Sequence, residues 1–244
     1  MSRIRLALVL AVLLVVALPG VAHARIIEYQ VQLSPAGGPS GAMAVVNVVL
    51  DSADTLPQTV KIPVPHGAAL LWAGEILGGA PEDDPARTTT VEQVGDMDVY
   101  TMTLEQVHIG QLEIGLAPAQ LEGDRLSSTM TWTNPGDEVQ LSASVIAESG
   151  ASEIRLTPPR SGDVQMNEAG ETLHPLERRR LATGESYVIE ASWRRGAASA
   201  PMTTGDTGSD LLPYLLGALI VAVLLLVVVM VREQTKGRRG SVDQ

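Results

Sequence analysis

The stretch Arg25–Leu33, RIIEYQVQL, decides the class of fold because its apolar residues recur at every second position. Successive side chains of a β-strand point to opposite faces, so this period predicts a half-buried strand. A little further on, Ala42–Leu50 is almost wholly apolar and rich in valine, which predicts a strand covered on both faces. Asn47 is the single polar interruption of that run.

The same alternation continues to Trp193, with turn-forming residues about every 8–12 positions. Because proline donates no ladder hydrogen bond, the strand that contains Pro63 and Pro65 should lie at a sheet edge. Gly95-Asp96-Met97 predicts a hairpin turn, and residues 134–137, NPGD, predict a second hairpin. Roughly ten to twelve short strands without a convincing amphipathic helix indicate a mostly β protein, an antiparallel, immunoglobulin-like β-sandwich.

An internal boundary is predicted at Ala117–Asp124, APAQLEGD, which is too polar and turn-rich for a buried strand. It divides the sandwich region into a first lobe, residues 25–117, and a second lobe, residues 118–195. The pattern leaves open whether these are two sandwiches or one enlarged domain.

Both ends of the chain carry membrane-targeting patterns. Residues 1–24 have a basic start, a short apolar run and the sequence Ala22-His23-Ala24, which together predict a signal peptide cleaved before Arg25. An uncleaved anchor is the alternative. Residues 211–231, LLPYLLGALIVAVLLLVVVMV, contain no charge and would reach roughly 30 Å as a helix, enough to span a bilayer.

The flanking charges predict the orientation of this transmembrane helix. Residues 232–244 contain four basic residues, so the positive-inside rule makes them a cytoplasmic tail and places the sandwich outside the membrane. Residues 196–210 are predicted to be a flexible tether. Ala218 and Ala222 form a small-xxx-small pair that suggests a weak homodimer through the helix.

Composition restricts the possible partners. Residues 25–210 contain 11 basic and 26 acidic residues, a net charge of −15, which argues against nucleic acid as a partner. The chain has no cysteine, so disulfides and thiolate chemistry are excluded. The scarcity of lysine and the lack of N-glycosylation sequons favour a bacterial cell-envelope protein.

Candidate chemical groups do not assemble into a motif in the sequence. The histidines of the mature chain (His66, His108, His174), the methionines Met97 and Met102, and the acidic clusters 82–84, 96/98 and 137–138 lack the spacings of metal sites. No nucleophile elbow, phosphate loop or dinucleotide motif is present. We therefore assign no catalytic, cofactor-binding or metal-binding residues and no cofactor, although an acidic pair for a hydrolase stays open.

Two further groups have alternative interpretations. Trp72, Trp132 and Trp193 could form a sugar-stacking platform, but core filling is expected in a chain that has no phenylalanine. The basic run 178–180 is expected to be a solvated turn, with contact to an acidic partner or lipid surface as the alternative.

These patterns predict a single-pass, non-catalytic extracytoplasmic module that binds or assembles with other envelope proteins. The alternative is a sensor or carrier for a carbohydrate or a metal ion.

Overall fold

The computed structural model describes residues 24–38 and 41–196. This part of the chain folds into fifteen β-strands and one short 3-10 helix, Pro81–Asp83. The strands are β1 (Ile26–Gly38), β2 (Gly41–Leu50), β3 (Gln58–Pro65), β4 (Ala69–Glu75), β5 (Thr90–Val94), β6 (Met97–Leu104), β7 (Ile109–Gly115), β8 (Gln120–Glu122), β9 (Arg125–Thr133), β10 (Val139–Ala147), β11 (Ser152–Thr157), β12 (Gln165–Met166), β13 (Thr172–Pro175), β14 (Arg179–Leu181) and β15 (Ser186–Arg194). The prediction of a mostly β protein is confirmed.

The described strands form three sheets stacked in a sandwich-like arrangement. The large sheet has the order β12-β13-β10-β1-β2-β7-β4, with β14 also paired to β10. The two smaller sheets have the orders β11-β15-β9-β8 and β3-β6-β5. Strands β3, β9 and β15 of the smaller sheets contact β1, β2, β7 and β10 of the large one, so the smaller sheets lie side by side as the second layer.

The core lies between the layers and follows the alternation seen in the sequence. Tyr29 of β1 packs against Trp132 of β9, with ring centroids 5.1 Å apart. Both rings also satisfy their polar atoms, because Tyr29 Oη donates to the Lys61 carbonyl at 2.6 Å and Trp132 Nε1 donates to the Pro63 carbonyl at 2.9 Å. These two bonds fix β3 against both lobes.

One pair of strands joins the two lobes. Among the described residues, every other ladder connects strands of the same lobe, whereas β1 of the first lobe pairs in parallel with β10 of the second. This seam, as we call the β1–β10 ladder, runs from Glu28 opposite Gln140 to Leu33 opposite Val145. The continuous sheet and a buried cluster that spans both lobes favour one enlarged sandwich. The boundary at residue 117 falls between β7 and β8 and stays a prediction.

Several local predictions are confirmed. Strand β2 is buried on both faces, and β3, with its two prolines, lies at the end of its sheet. The hairpin predicted at Gly95 joins β5 to β6, and Gly95 has the positive φ of 63° that such a turn requires.

The hairpin predicted at residues 134–137 is wrong. Strand β9 pairs with β15 and β8, whereas β10 pairs with β1, β13 and β14 in the opposite layer. The turn instead carries the chain between layers, because Asn134 bonds to the Asp137 carbonyl at 2.7 Å and to the Leu181 carbonyl at 3.1 Å. Turn-forming residues indicate that the chain changes direction, but they do not determine which strand the following strand pairs with.

The predicted tether, transmembrane helix and cytoplasmic tail, and nearly all of the predicted signal peptide, lie outside the described residues. Within residues 24–38 and 41–196, no helix has the length and apolar character needed to cross a membrane.

Candidate functional site

The described residues form an open groove of about 570 Å³ above the seam. Its floor is the outer face of β10, β1 and β2, opposite the core. Tyr29, Val31 and Leu33 point into the core, so Gln30 and Gln32 between them point outward. The polar floor residues are Gln30, Gln32, Asn47, Ser142 and Ser144.

The register places these floor residues in two rows across the seam. Gln30 lies opposite Ser142 on β10 and Asn47 on β2. Gln32 lies opposite Ser144 on β10 and Val45 on β2. Each row therefore combines hydrogen-bonding groups from both lobes, and the floor exists because the seam brings these strands together.

The second lobe supplies the wall of the groove from β12, from β13 and from residues that lie outside its strands. The wall residues include Ser161, Gly162, Asp163, Gln165, Leu173, Pro175 and Arg178. Ser161 fixes this wall, because its amide donates to the Pro175 carbonyl at 3.0 Å and its hydroxyl donates to the Leu176 carbonyl at 2.6 Å. A Cβ on Gly162 would stand 3.1 Å from Pro175 Cγ, so glycine permits this close approach.

One end of the floor satisfies its own hydrogen bonds. The carboxylate of Glu28 accepts a bond from Gln30 Nε2 at 3.1 Å and another from the Ser142 hydroxyl. These bonds orient the Gln30 and Ser142 side chains across the seam. The remaining acceptor of Gln30 is its carboxamide oxygen.

Asn47 is the exceptional residue of the floor. It is 5% exposed, and its Oδ1 atom is shielded from solvent yet has no hydrogen-bond partner in the described part of the chain. A buried acceptor left unpaired costs about 1–3 kcal/mol. An unpaired polar side chain in a cavity wall is a candidate ligand-binding group.

Neighbouring Gln32 is also almost buried, with 6% exposure, and forms no side-chain hydrogen bond to another described residue. The side chains of Ser144 and Gln165 are likewise without a described partner. The groove thus presents carboxamides and a hydroxyl that can both donate and accept.

The three histidines do not come together. His66 Nδ1 bonds to Asp98 at 2.8 Å, and this bond lowers the pKa of the Asp98 carboxyl. His108 bonds to the Asp54 carbonyl, and His174 is buried beside Thr172, where burial and then Arg160 lower its pKa. Among the residues with described positions, no three His, Cys, Asp or Glu residues are grouped as a metal site.

Met97, Met102 and two of the three tryptophans are core residues. Met97, Met102, Trp132 and Trp193 are each no more than 2% exposed, and Trp72 is half-buried on the outer face of β4. Trp132 and Trp193 therefore cannot form an exposed sugar-stacking platform. No tryptophan lines the groove.

The basic run 178–180 is not a simple solvated turn. Arg179 and Arg180 begin β14, where they pair with Glu185 at 2.6 Å and with Glu138 at 3.3 Å. Arg178 lines the groove. The predicted turn is wrong in this respect, because pairing with β10 extends the segment.

Within the described residues, the acidic clusters make separate contacts and do not converge on one site. Asp84 Oδ1 accepts the Leu77 amide at 2.7 Å, and burial raises the pKa of Asp84, with Asp83 adding to the effect. Asp96 accepts the Thr133 hydroxyl at 3.1 Å.

Comparison with known proteins adds no functional information: no protein-family model matches this sequence, and no curated protein matches it significantly. The groove was not predicted from the sequence. Its signals were the outward glutamines of β1 and the polar interruption at Asn47, but the strand pairing that unites them is not visible in one sequence.

Proposed function

We propose that this chain is a membrane-anchored, extracytoplasmic module that binds a ligand in the seam groove and does not catalyse a reaction. The observation that carries the proposal is Asn47, a residue that lines a cavity of about 570 Å³ and whose buried carboxamide oxygen has no hydrogen-bond partner among the described residues. That volume falls within the about 300–1,000 Å³ typical of ligand sites. An immunoglobulin-like assignment of the sandwich belongs to the same proposal.

The lining supports binding through its chemistry. Its polar floor groups are neutral carboxamides and hydroxyls, which orient a ligand by hydrogen bonds, while Leu173 and Pro175 supply apolar contact. Asp163 and Arg178 add one group of each charge.

Assembly with other envelope proteins is the second candidate, and a different observation favours it. Strand β5 ends its sheet, and all five of its residues are exposed, including Val91 and Val94. An exposed sheet edge offers unpaired backbone groups to which a partner strand can be added.

Photo-crosslinking in intact cells separates the two candidates. A photoreactive benzoylphenylalanine would replace Gln165 at the groove, Val91 at the β5 edge, or Val188 on an exposed face of β15 as the control. We expect an adduct at position 165 that is absent at 188. Labelling at 165 no stronger than at 188 would contradict groove binding, and protein-sized adducts at 91 alone would favour assembly.

The membrane anchor is testable independently of the ligand. The uncharged run 211–231 predicts that the protein resists carbonate extraction from membranes. It also predicts that protease added outside intact cells, or outside spheroplasts if the compartment is periplasmic, digests the sandwich. Release by carbonate, or digestion after lysis alone, would contradict the proposed topology.

A further inference from the structure

We infer that the ligand of the groove is a neutral, polyhydroxylated molecule of the size of a mono- or disaccharide. This inference rests on the proposed binding function and specifies the chemical class of ligand. The observation behind it is a set of hydrogen-bonding groups, Gln32, Asn47, Ser144 and Gln165, that line one cavity and lack side-chain partners among the described residues.

The hydrogen-bonding character of these groups favours a ligand that carries several hydroxyls. Each carboxamide offers a donor and an acceptor, and each hydroxyl can act as either. A sugar hydroxyl has the same dual capacity, so a ring with several adjacent hydroxyls can satisfy many of these groups together. A ligand with acceptors alone would leave Asn47 Oδ1 unpaired.

The charges around the groove favour a neutral ligand over an anionic one. Glu28 lies beside the floor and Asp163 in the wall, and the surrounding sandwich region is strongly acidic. Among the described lining residues, Arg178 is the single basic one. An anionic ligand would therefore meet net repulsion, whereas a neutral ligand would not.

The strands below the groove are paired on both sides, which disfavours the addition of a peptide strand. Strands β10, β1 and β2 each have a hydrogen-bonded neighbour on both sides. A peptide that binds by strand addition needs a free sheet edge, and the described floor of this groove offers none. Recognition must therefore come from side chains, which suits a compact ligand better than a strand.

The wall of the groove offers apolar contact to a sugar ring. Leu173 and Pro175 stand in the wall above the polar floor. The C–H face of a sugar ring can pack against such residues while its hydroxyls face the floor. The absence of an aromatic ring from the described lining predicts modest affinity, with saturation at high sugar concentration.

Thermal unfolding of the full chain tests this inference. The protein would be purified in a polyoxyethylene detergent, because a glycoside detergent would itself present sugar headgroups. The probes are cellobiose and N-acetylglucosamine, with tetraglycine and citrate as peptide and anion comparisons. We expect at least one sugar to raise the midpoint, by about 3–6 °C at ten times its Kd, with the logarithmic dependence on concentration that binding to the folded state predicts.

Matched variants locate the effect. Asn47→Leu and Ser144→Ala should each weaken sugar binding by about 3- to 10-fold, as loss of one hydrogen bond predicts. Ser127→Ala makes the same chemical change as Ser144→Ala on β9, away from the groove, and should leave the Kd unchanged.

The inference is overturned if neither sugar shifts the midpoint, if tetraglycine or citrate alone does so, or if Ser127→Ala weakens binding as much as Ser144→Ala. An adduct at position 165 combined with failure of both sugars would refute the ligand class and leave the binding function standing. Failure of both experiments would refute both.

Discussion

The two lobes use different means to build their share of the same sheet. The first lobe contributes the long strands β1 and β2 and the shorter strands β4 and β7, whereas the second contributes the single long strand β10 and the short strands β12, β13 and β14. Strands β1 and β2 make most of the groove floor, and the irregular connections make the wall. The proposed binding site thus lies where a sheet surface meets a segment without regular secondary structure.

The lobes also differ in how they hold their loops and cores. The first lobe buries one charged group, Glu75, which is 0% exposed. Its carboxylate accepts the amides of residues 105, 106 and 107 at 2.8–2.9 Å and pairs with Arg87 at 2.5 Å. The second lobe instead buries the two large rings of Trp132 and Trp193.

The largest expected effect comes from removing the buried charge of the first lobe. Glu75→Gln should lower the free energy of unfolding by about 3–5 kcal/mol at neutral pH, because it leaves Arg87 without its buried partner. Urea titration followed by tryptophan fluorescence measures this. The control is Glu92→Gln, which breaks the exposed Lys61–Glu92 pair and should cost less than about 1 kcal/mol.

The stability difference between wild type and Glu75→Gln should also depend on pH, and the lowered pKa of Glu75 gives the sign of that dependence. Burial raises the pKa of Glu75, but the three backbone bonds and Arg87 outweigh it and leave the pKa below its ordinary value of 4.5. The stability from Glu75 is therefore complete above pH 4.5 and is lost as the pH falls through the lowered pKa. The difference between wild type and Glu75→Gln should shrink on acidification. A difference that is constant with pH would contradict the assignment.

An intermediate effect is expected where the second lobe holds the first. Trp132→Phe removes the bond to the Pro63 carbonyl and part of the contact with Tyr29, and should cost about 2 kcal/mol. Trp193→Phe is the matched control, because its Nε1 makes a longer bond of 3.3 Å to Glu148 within the second lobe. Equal destabilisation of the two variants in urea would argue against a special role for the contact between lobes.

The smallest effect has the opposite sign. Asn47→Leu removes an unpaired buried acceptor without removing a described hydrogen bond, so it should stabilise the empty protein by about 1 kcal/mol, or about 2–4 °C. Gln111→Leu, its neighbour on β7, removes the bond to Glu113 at 3.1 Å and should destabilise. Destabilisation by Asn47→Leu in differential scanning fluorimetry would contradict our interpretation of Asn47.

The sequence allowed the regular elements to be predicted and missed the relations between them. The alternation of Tyr29, Val31 and Leu33 and the valine-rich β2 are local properties, so one sequence suffices for them. The parallel pairing of Gln30 with Ser142 joins residues far apart in the chain and has no local signature. The sequence predicts the turn at Asn134, but the nonlocal ladders of β10 with β1, β13 and β14 have no local signature.

The candidate site shows the same division. Asn47 could be recognised from sequence as a polar residue in an apolar run, but not as an unpaired one. The wall around Ser161 and Gly162 depends on contacts with Pro175 that no spacing rule predicts. The sequence predicts a turn at the basic run 178–180 because the pairing of this run with β10 is likewise nonlocal.

The central claim is that the seam makes the two lobes one sandwich with a shared groove floor. Hydrogen–deuterium exchange of the full chain at increasing urea, read by mass spectrometry, tests it without mutation. We predict that β2 of the first lobe and β15 of the second lose protection in the same cooperative opening, with equal free energies and equal urea dependence. Exchange of β15 in a separate, lower-energy opening while β2 stays protected would contradict the account.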